Sequence, residues 1–180
     1  MKAISGPVYS GTLLGSSGMP VFLLDNLRSA FNVGSVFRTA EAISPCAVFL
    51  TGICCRPGNR KLAHTSRGTH AAVPWRYFGS AVNAARWALS SGRTLVAVEN
   101  SVDSSPLWDA DIPLSAAFMM GNEALGLDPA LSKMAHMKVM FPQSGERRCI
   151  NVSSTAAIIA AEIQRLRHSA QVDGASGIYN

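Results

Sequence analysis

Residues 21–40 read Val21-Phe22-Leu23-Leu24-Asp25-Asn26-Leu27-Arg28-Ser29-Ala30-Phe31-Asn32-Val33-Gly34-Ser35-Val36-Phe37-Arg38-Thr39-Ala40. Four apolar residues in an unbroken run suit a strand covered on both faces. After a polar turn, Val33, Val36, Phe37 and Ala40 recur at spacings of three and four, the stripe of a helix with one buried side. Asn32 is placed to cap that helix. Arg38 falls off the stripe, within one turn of Glu41, where a solvated pair is the simplest reading. A buried strand running into an amphipathic helix is half of a βαβ unit and predicts a parallel sheet.

The same alternation continues along the chain. Short apolar runs at 47–50, 94–98, 116–120 and 137–141 read as further strands, and helical spacing covers 33–43, 80–89 and 153–167. Shorter helices are expected near 60–67 and 129–134. Ser153 is the expected cap of the last long helix, and Glu162 with Arg165 an expected pair three residues apart. Ala156, Ala157, Ala160 and Ala161 predict close packing of that helix against another backbone. The expected organisation is therefore one α/β domain over 21–168, helices on both faces of the sheet, with a loose glycine-rich arm at 1–20 and a disordered polar tail at 169–180. In such sheets ligands sit beyond the carboxyl ends of the strands.

The chain has 180 residues, 48% apolar and 15% charged, a composition that argues against disorder. No apolar run approaches the ~20 residues of a membrane span, and no secretion signal is evident at the start, so a cytoplasmic location is expected. The net charge is +5, and no Asp or Glu occurs between Ala42 and Val98. That stretch holds Arg56, Arg60, Lys61, Arg67, Arg76, Arg86 and Arg93, a one-signed field suited to a polyanion or, more blandly, a solvated basic face. Cys46, Cys54, Cys55 and Cys149, with four scattered histidines, lack the short fixed spacings of a zinc site. Reduced thiols and no metal are expected.

Two further segments carry chemistry. In Phe118-Met119-Met120-Gly121-Asn122-Glu123-Ala124-Leu125-Gly126-Leu127 an apolar strand enters a turn with two glycines. Gly121 is expected to let a ligand approach the backbone. No Lys-Ser/Thr follows Gly126 and no G-x-G-x-x-G occurs, which argues against a phosphate-binding loop and a dinucleotide fingerprint. The second is Phe141-Pro142, a polar loop, then Cys149-Ile150-Asn151-Val152-Ser153 at the start of the small-residue helix.

Each segment alone has a bland reading as a cap, a turn or a loop. The ordered set N-x5-R-Thr-Ala, G-N-E-x-x-G and Phe-Pro…Ile-Asn-Val-Ser resembles the three motifs of the SpoU/TrmH family of the SPOUT RNA methyltransferases. The resemblance spans about residues 20–168. It implies a parallel sheet with a C-terminal deep trefoil knot, a homodimer with each site near the subunit interface, and transfer of a methyl group from S-adenosylmethionine to a ribose 2′-hydroxyl of structured RNA. Transfer RNA is the first expectation and ribosomal RNA the second. By the same resemblance Arg38 matches the catalytic arginine, Asn32 the asparagine before it, and Glu123 and Asn151 polar residues lining the transfer site. The cofactor is expected against Ala97, Val98, Glu99, Met120, Gly121, Asn122, Met140, Phe141 and Ile150. RNA is expected on Arg28, Arg56, Arg60, Lys61 and Arg67, mostly through phosphates. The sequence departs from the family at Cys149, where serine is common, and at Phe141, where isoleucine is usual. Two alternatives share parts of this pattern: a catalytically silent RNA-binding protein of the same fold, and an α/β enzyme acting on a small anion.

Overall fold

The structure is a computed structural model that describes residues 18–146 and 149–176. Its centre is the apolar run at the start of the chain. β1 (Val21–Leu24) is wholly buried and pairs in parallel with β2 (Ala47–Thr51) on one side and β6 (Ala117–Met120) on the other. β3 (Trp75–Phe78) extends the sheet beyond β2, and β4 (Leu95–Val98), β7 (Met137–Met140) and the two-residue β5 (Ser105–Pro106) extend it beyond β6. The order is β3-β2-β1-β6-β4-β7-β5, with every pair parallel. The family's C-terminal trefoil knot is consistent with this order.

Alternate residues of the central strands feed two cores. On one face α1 (Ala30–Ala42), α2 (Arg60–Ser66) and α5 (Val152–Ser176) bury Val33, Phe37, Leu62, Ala156 and Ile159 against Phe22, Leu24, Val48 and Phe118. On the other, α3 (Ala81–Ser90) and α4 (Pro129–Met134) bury Ala84, Ala88 and Leu131 against Leu23, Phe49 and Met119. Gly34 lets α1 and α2 touch, since a Cβ there would lie 2.8 Å from the Thr65 Cβ.

The helix boundaries correct two caps. α1 begins at Ala30, and Ser29 rather than Asn32 caps it, accepting from the Asn32 N–H at 3.2 Å. α5 begins at Val152, and its cap is Asn151, whose Oδ1 accepts from the Ser153 N–H at 2.8 Å and from the Ser153 hydroxyl at 2.6 Å. The Asn32 side chain is thereby released for partners far away in sequence, whereas Ser153 stays local, its hydroxyl donating to Asn151 two residues before it. The Glu162–Arg165 pair forms at 2.6 Å. α5 runs on through Ser176, past the point where the sequence predicts a frayed tail; the expected arm lies almost entirely outside the described residues. β3 and β5 were not expected. Trp75–Phe78 is a half-exposed edge strand carrying Arg76, so it lacks the unbroken apolar run of its neighbours.

Candidate functional site

Beyond the carboxyl ends of β4, β6 and β7 lies a cleft of about 700 Å³. Val98, Met120, Met140, Phe141 and Ile150 give it an apolar wall, and Asn100, Gln143, Asn151 and Thr155 polar groups. Of the nine residues expected at a cofactor, Glu99, Gly121 and Asn122 join those five wall residues in the lining, and Ala97 does not. Ala97 is fully buried in the core on the α3 face. Cys149 lines the cleft, as do Gly126 and Val152 of the motifs, and so do Leu125, Leu127 and Thr155, to which the sequence assigned no role.

The turn after β6 is held by its own atoms. The Asn122 N–H donates to the Gly126 carbonyl at 2.8 Å and the Gly126 N–H returns to the Asn122 carbonyl at 2.9 Å. The buried Asn122 side chain accepts from the N–H groups of Ala124 and Leu125 and donates to the Asn26 carbonyl at 2.6 Å. Gly121 has a structural role beside its place in the cleft lining. A Cβ on it would stand 2.1 Å from both the Gly126 carbonyl carbon and the Leu127 nitrogen, so the glycine admits the turn's own returning backbone.

Glu123 points from this turn to the start of α1. Its carboxylate accepts from the Arg28 N–H at 3.0 Å, the Ser29 N–H at 3.1 Å and the Asn32 side-chain amide at 2.9 Å. Partial burial pushes its pKa up, but the bonds from Arg28, Asn32 and Ser29 outweigh burial and hold it below the ordinary glutamate value. Asn32 is thereby fixed, and its Oδ1 accepts from the Asn151 amide at 3.1 Å. A run of hydrogen bonds from Glu123 through Asn32 to Asn151 thus joins the three segments that the sequence singled out. Below it, the 2%-exposed carboxylate of Asp25 accepts from the Asn26 amide at 2.8 Å and the Asp128 N–H at 3.0 Å, tying the turn after β1 to the far end of the cleft loop. Burial raises the Asp25 pKa.

Arg38 is not among the residues that line this cleft. It lies six residues past Asn32, about 9 Å along the helix axis, and is exposed. Among the described residues it has no hydrogen-bond or ion-pair partner, Glu41 included. The Glu99 carboxylate is turned aside as well, accepting from the Ser132 hydroxyl at 2.6 Å and standing 3.4 Å from Lys138. Among the described residues no group of three or more His, Cys, Asp or Glu could hold a metal ion, and all four cysteines are unpaired.

The basic residues sort by environment. Arg28, Arg56, Arg60, Lys61 and Arg67 are exposed. Arg93 is buried and donates to the Met19 carbonyl at 3.2 Å and to the Ser91 hydroxyl at 2.7 Å, a structural role. The loop after β2, which leads to Arg56, is fastened to the turn after β1. The Ile53 N–H donates to the Asn26 Oδ1 at 3.1 Å, and the Leu27 N–H to the Cys54 sulfur at 3.1 Å. The exposed cations and the cleft therefore share the carboxyl edge of one sheet.

Residues 19–161 match the model of the SpoU rRNA methylase family. The chain belongs to that family. A SpoU-family relative named as a 23S rRNA (guanosine-2′-O-)-methyltransferase of Neisseria meningitidis is 26% identical over 82% of the chain and 58% of its own length. A Thermus thermophilus tRNA (guanosine(18)-2′-O)-methyltransferase is 28% identical over 81% of the chain and 74% of its own length. The SpoU methyltransferase AviRb from Streptomyces viridochromogenes, solved in complex with AdoMet, superposes with a TM-score of 0.78 at 23% identity, over 84% of this chain and 62% of that one. This SpoU-family chain thus spans little more than half the length of some curated relatives it matches. No helix among the described residues is long and apolar enough to cross a membrane.

Proposed function

We propose that this chain transfers a methyl group from S-adenosylmethionine to a ribose 2′-hydroxyl of a structured RNA, with transfer RNA the first candidate and ribosomal RNA the second. The observation that carries the reading is the Glu123–Asn32–Asn151 run, which assembles three family motifs on the rim of one cleft. The cleft suits the cofactor. Its volume falls in the usual range for small-molecule sites, and apolar side chains with a few polar groups line it. Met140, Phe141, Ile150 and Val98 would enclose the adenosine, and Asn100, Gln143 or Thr155 would meet its polar edges. When bound, the cofactor supplies a sulfonium whose methyl group is already electrophilic.

The chain's own task is to place the ribose oxygen and remove its proton. Glu123 is a poor acceptor for that proton, because three donors already engage its carboxylate and its pKa is held down. Its role in this reading is to fix the start of α1 and the Asn32 amide. Arg38 serves to bind a phosphate and stabilise the developing alkoxide, with the hydroxyl proton passing to solvent water. Its distance from the cleft of its own chain calls for a second copy, so the site is one of a homodimer. Phe31, Leu125 and Ile150 are exposed near the cleft rim, and Ala157 and Ala161 are exposed on α5 while Ala156 and Ala160 pack inward. Such a face suits the partner subunit.

The test is incubation with tritium-labelled cofactor and total host RNA, followed by alkaline digestion. Label in an alkali-resistant dinucleotide is the expected result, and its sequence names the position. Absence of both label and calorimetric heat with the cofactor would leave the silent RNA-binding reading. Turnover without RNA would point to a small substrate.

A further inference from the structure

We propose that Arg56, laid over Tyr77, is a stacking platform for an unpaired nucleobase of the RNA, and not one more phosphate contact. The Arg56 guanidinium carbon stands 4.4 Å from the centre of the Tyr77 ring. That ring is itself fixed, since the Tyr77 hydroxyl donates to the Gly52 carbonyl at 2.8 Å and the ring packs against the core that holds α1. Among the described residues Arg56 has no carboxylate partner. No acidic residue lies anywhere between Ala42 and Val98 to supply one. An arginine held over a ring, with no carboxylate partner and its side chain exposed, offers a planar cation to a further ring. Nucleobases stack on such groups whatever their sequence.

The position favours the same conclusion. Tyr77 lies on the sheet face that carries α1, whereas the neighbouring Arg76 turns to the other face and sits 5.1 Å from both Phe78 and Trp87. Arg56 follows the carboxyl end of β2, on the edge where the cleft opens, and the Tyr77 it covers belongs to β3, three strand spacings or about 14 Å from β6. Exposed Ile53 widens the apolar border, and Arg60 and Lys61 follow within five residues to hold the adjoining backbone. A base lodged there belongs to a nucleotide near the methylated one, so the platform selects targets whose neighbours are unpaired.

The inference rests on the RNA reading, and its test separates the two. A short single-stranded RNA carrying 2-aminopurine is titrated with wild type, Arg56→Lys and Arg56→Ala, alongside total tRNA, over a range of salt. Stacking predicts fluorescence quenching by wild type, its loss in both variants, affinity for the labelled RNA about 5- to 100-fold weaker in each, and an unchanged salt slope. A phosphate contact predicts that Arg56→Lys behaves as wild type and that Arg56→Ala lowers the slope by about one. That pattern would overturn the platform while leaving RNA binding intact. Failure of wild type to bind either RNA would instead remove the RNA reading, and the platform with it.

Discussion

The carboxyl edge of the sheet has two halves built on opposite rules. Over β4, β6 and β7 the polar groups answer one another: Asn122 uses every polar atom of its side chain, Glu123 takes three donors, and Asn32 is engaged at both ends of its amide. Over β2 and β3 the charges are single-signed and exposed, and Arg56, Arg60, Lys61 and Arg67 form no ion pair among the described residues. A saturated, shaped cleft recognises one small molecule by fit, whereas a field of unspent cations attracts a polymer with little regard to its sequence. The two halves therefore divide recognition, and substitutions in each should fail differently.

The sharpest break between them is Arg38→Ala. It should reduce methyl transfer to below a tenth of wild type, a loss above about 1.4 kcal/mol of transition-state stabilisation. Cofactor affinity by calorimetry should stay nearly unchanged, because Arg38 is not among the residues that line the cleft of its own chain. Comparable loss of cofactor binding would move Arg38 into the cleft half.

Next in size is Gly121→Ala, which drives a methyl group into the backbone of residues 126 and 127. Overpacking of this kind costs about 1–3 kcal/mol. Urea denaturation should show that loss, and cofactor affinity should fall at least tenfold while RNA affinity holds.

Glu123→Gln probes the cleft half through pH. The carboxylate's folded pKa lies below its ordinary value of 4.5. Its stabilising contribution is therefore full above that value and lost as pH falls through the lower, folded one. Wild type should lose stability on acidification across that window, and the variant should lack this component. Asp25 shifts the opposite way, so Asp25→Asn should leave the acid-side loss in place. The smallest effect belongs to the basic half. Arg60→Ala or Lys61→Ala should leave cofactor binding untouched and lower the slope of log affinity against log salt by about one each.

How far the sequence disclosed all this follows from where each partner lies. The central strands announce themselves because burial on both faces leaves an unbroken apolar run, and the long helices through their stripes. β3 escaped because an edge strand keeps polar residues such as Arg76. The wall of the cleft was legible through the ordered motifs, with Ala97 displaced because a strand's alternation turned it into the core. The caps were misread for a physical reason. Local spacing made Asn32 a cap, but its amide is claimed by Glu123, 91 residues away, and by Asn151, 119 residues away. Contacts of that range leave no periodic trace in a chain.

The length of that last link also bears on timing. Chains emerge from the ribosome amino end first, and pairings between distant residues are slow to form. A nascent copy displays its cations once residues 56–67 have emerged, long before Asn151 arrives to complete the rim. Half-made molecules therefore present the basic edge before they hold a finished cleft, which is complete only when the final helix docks.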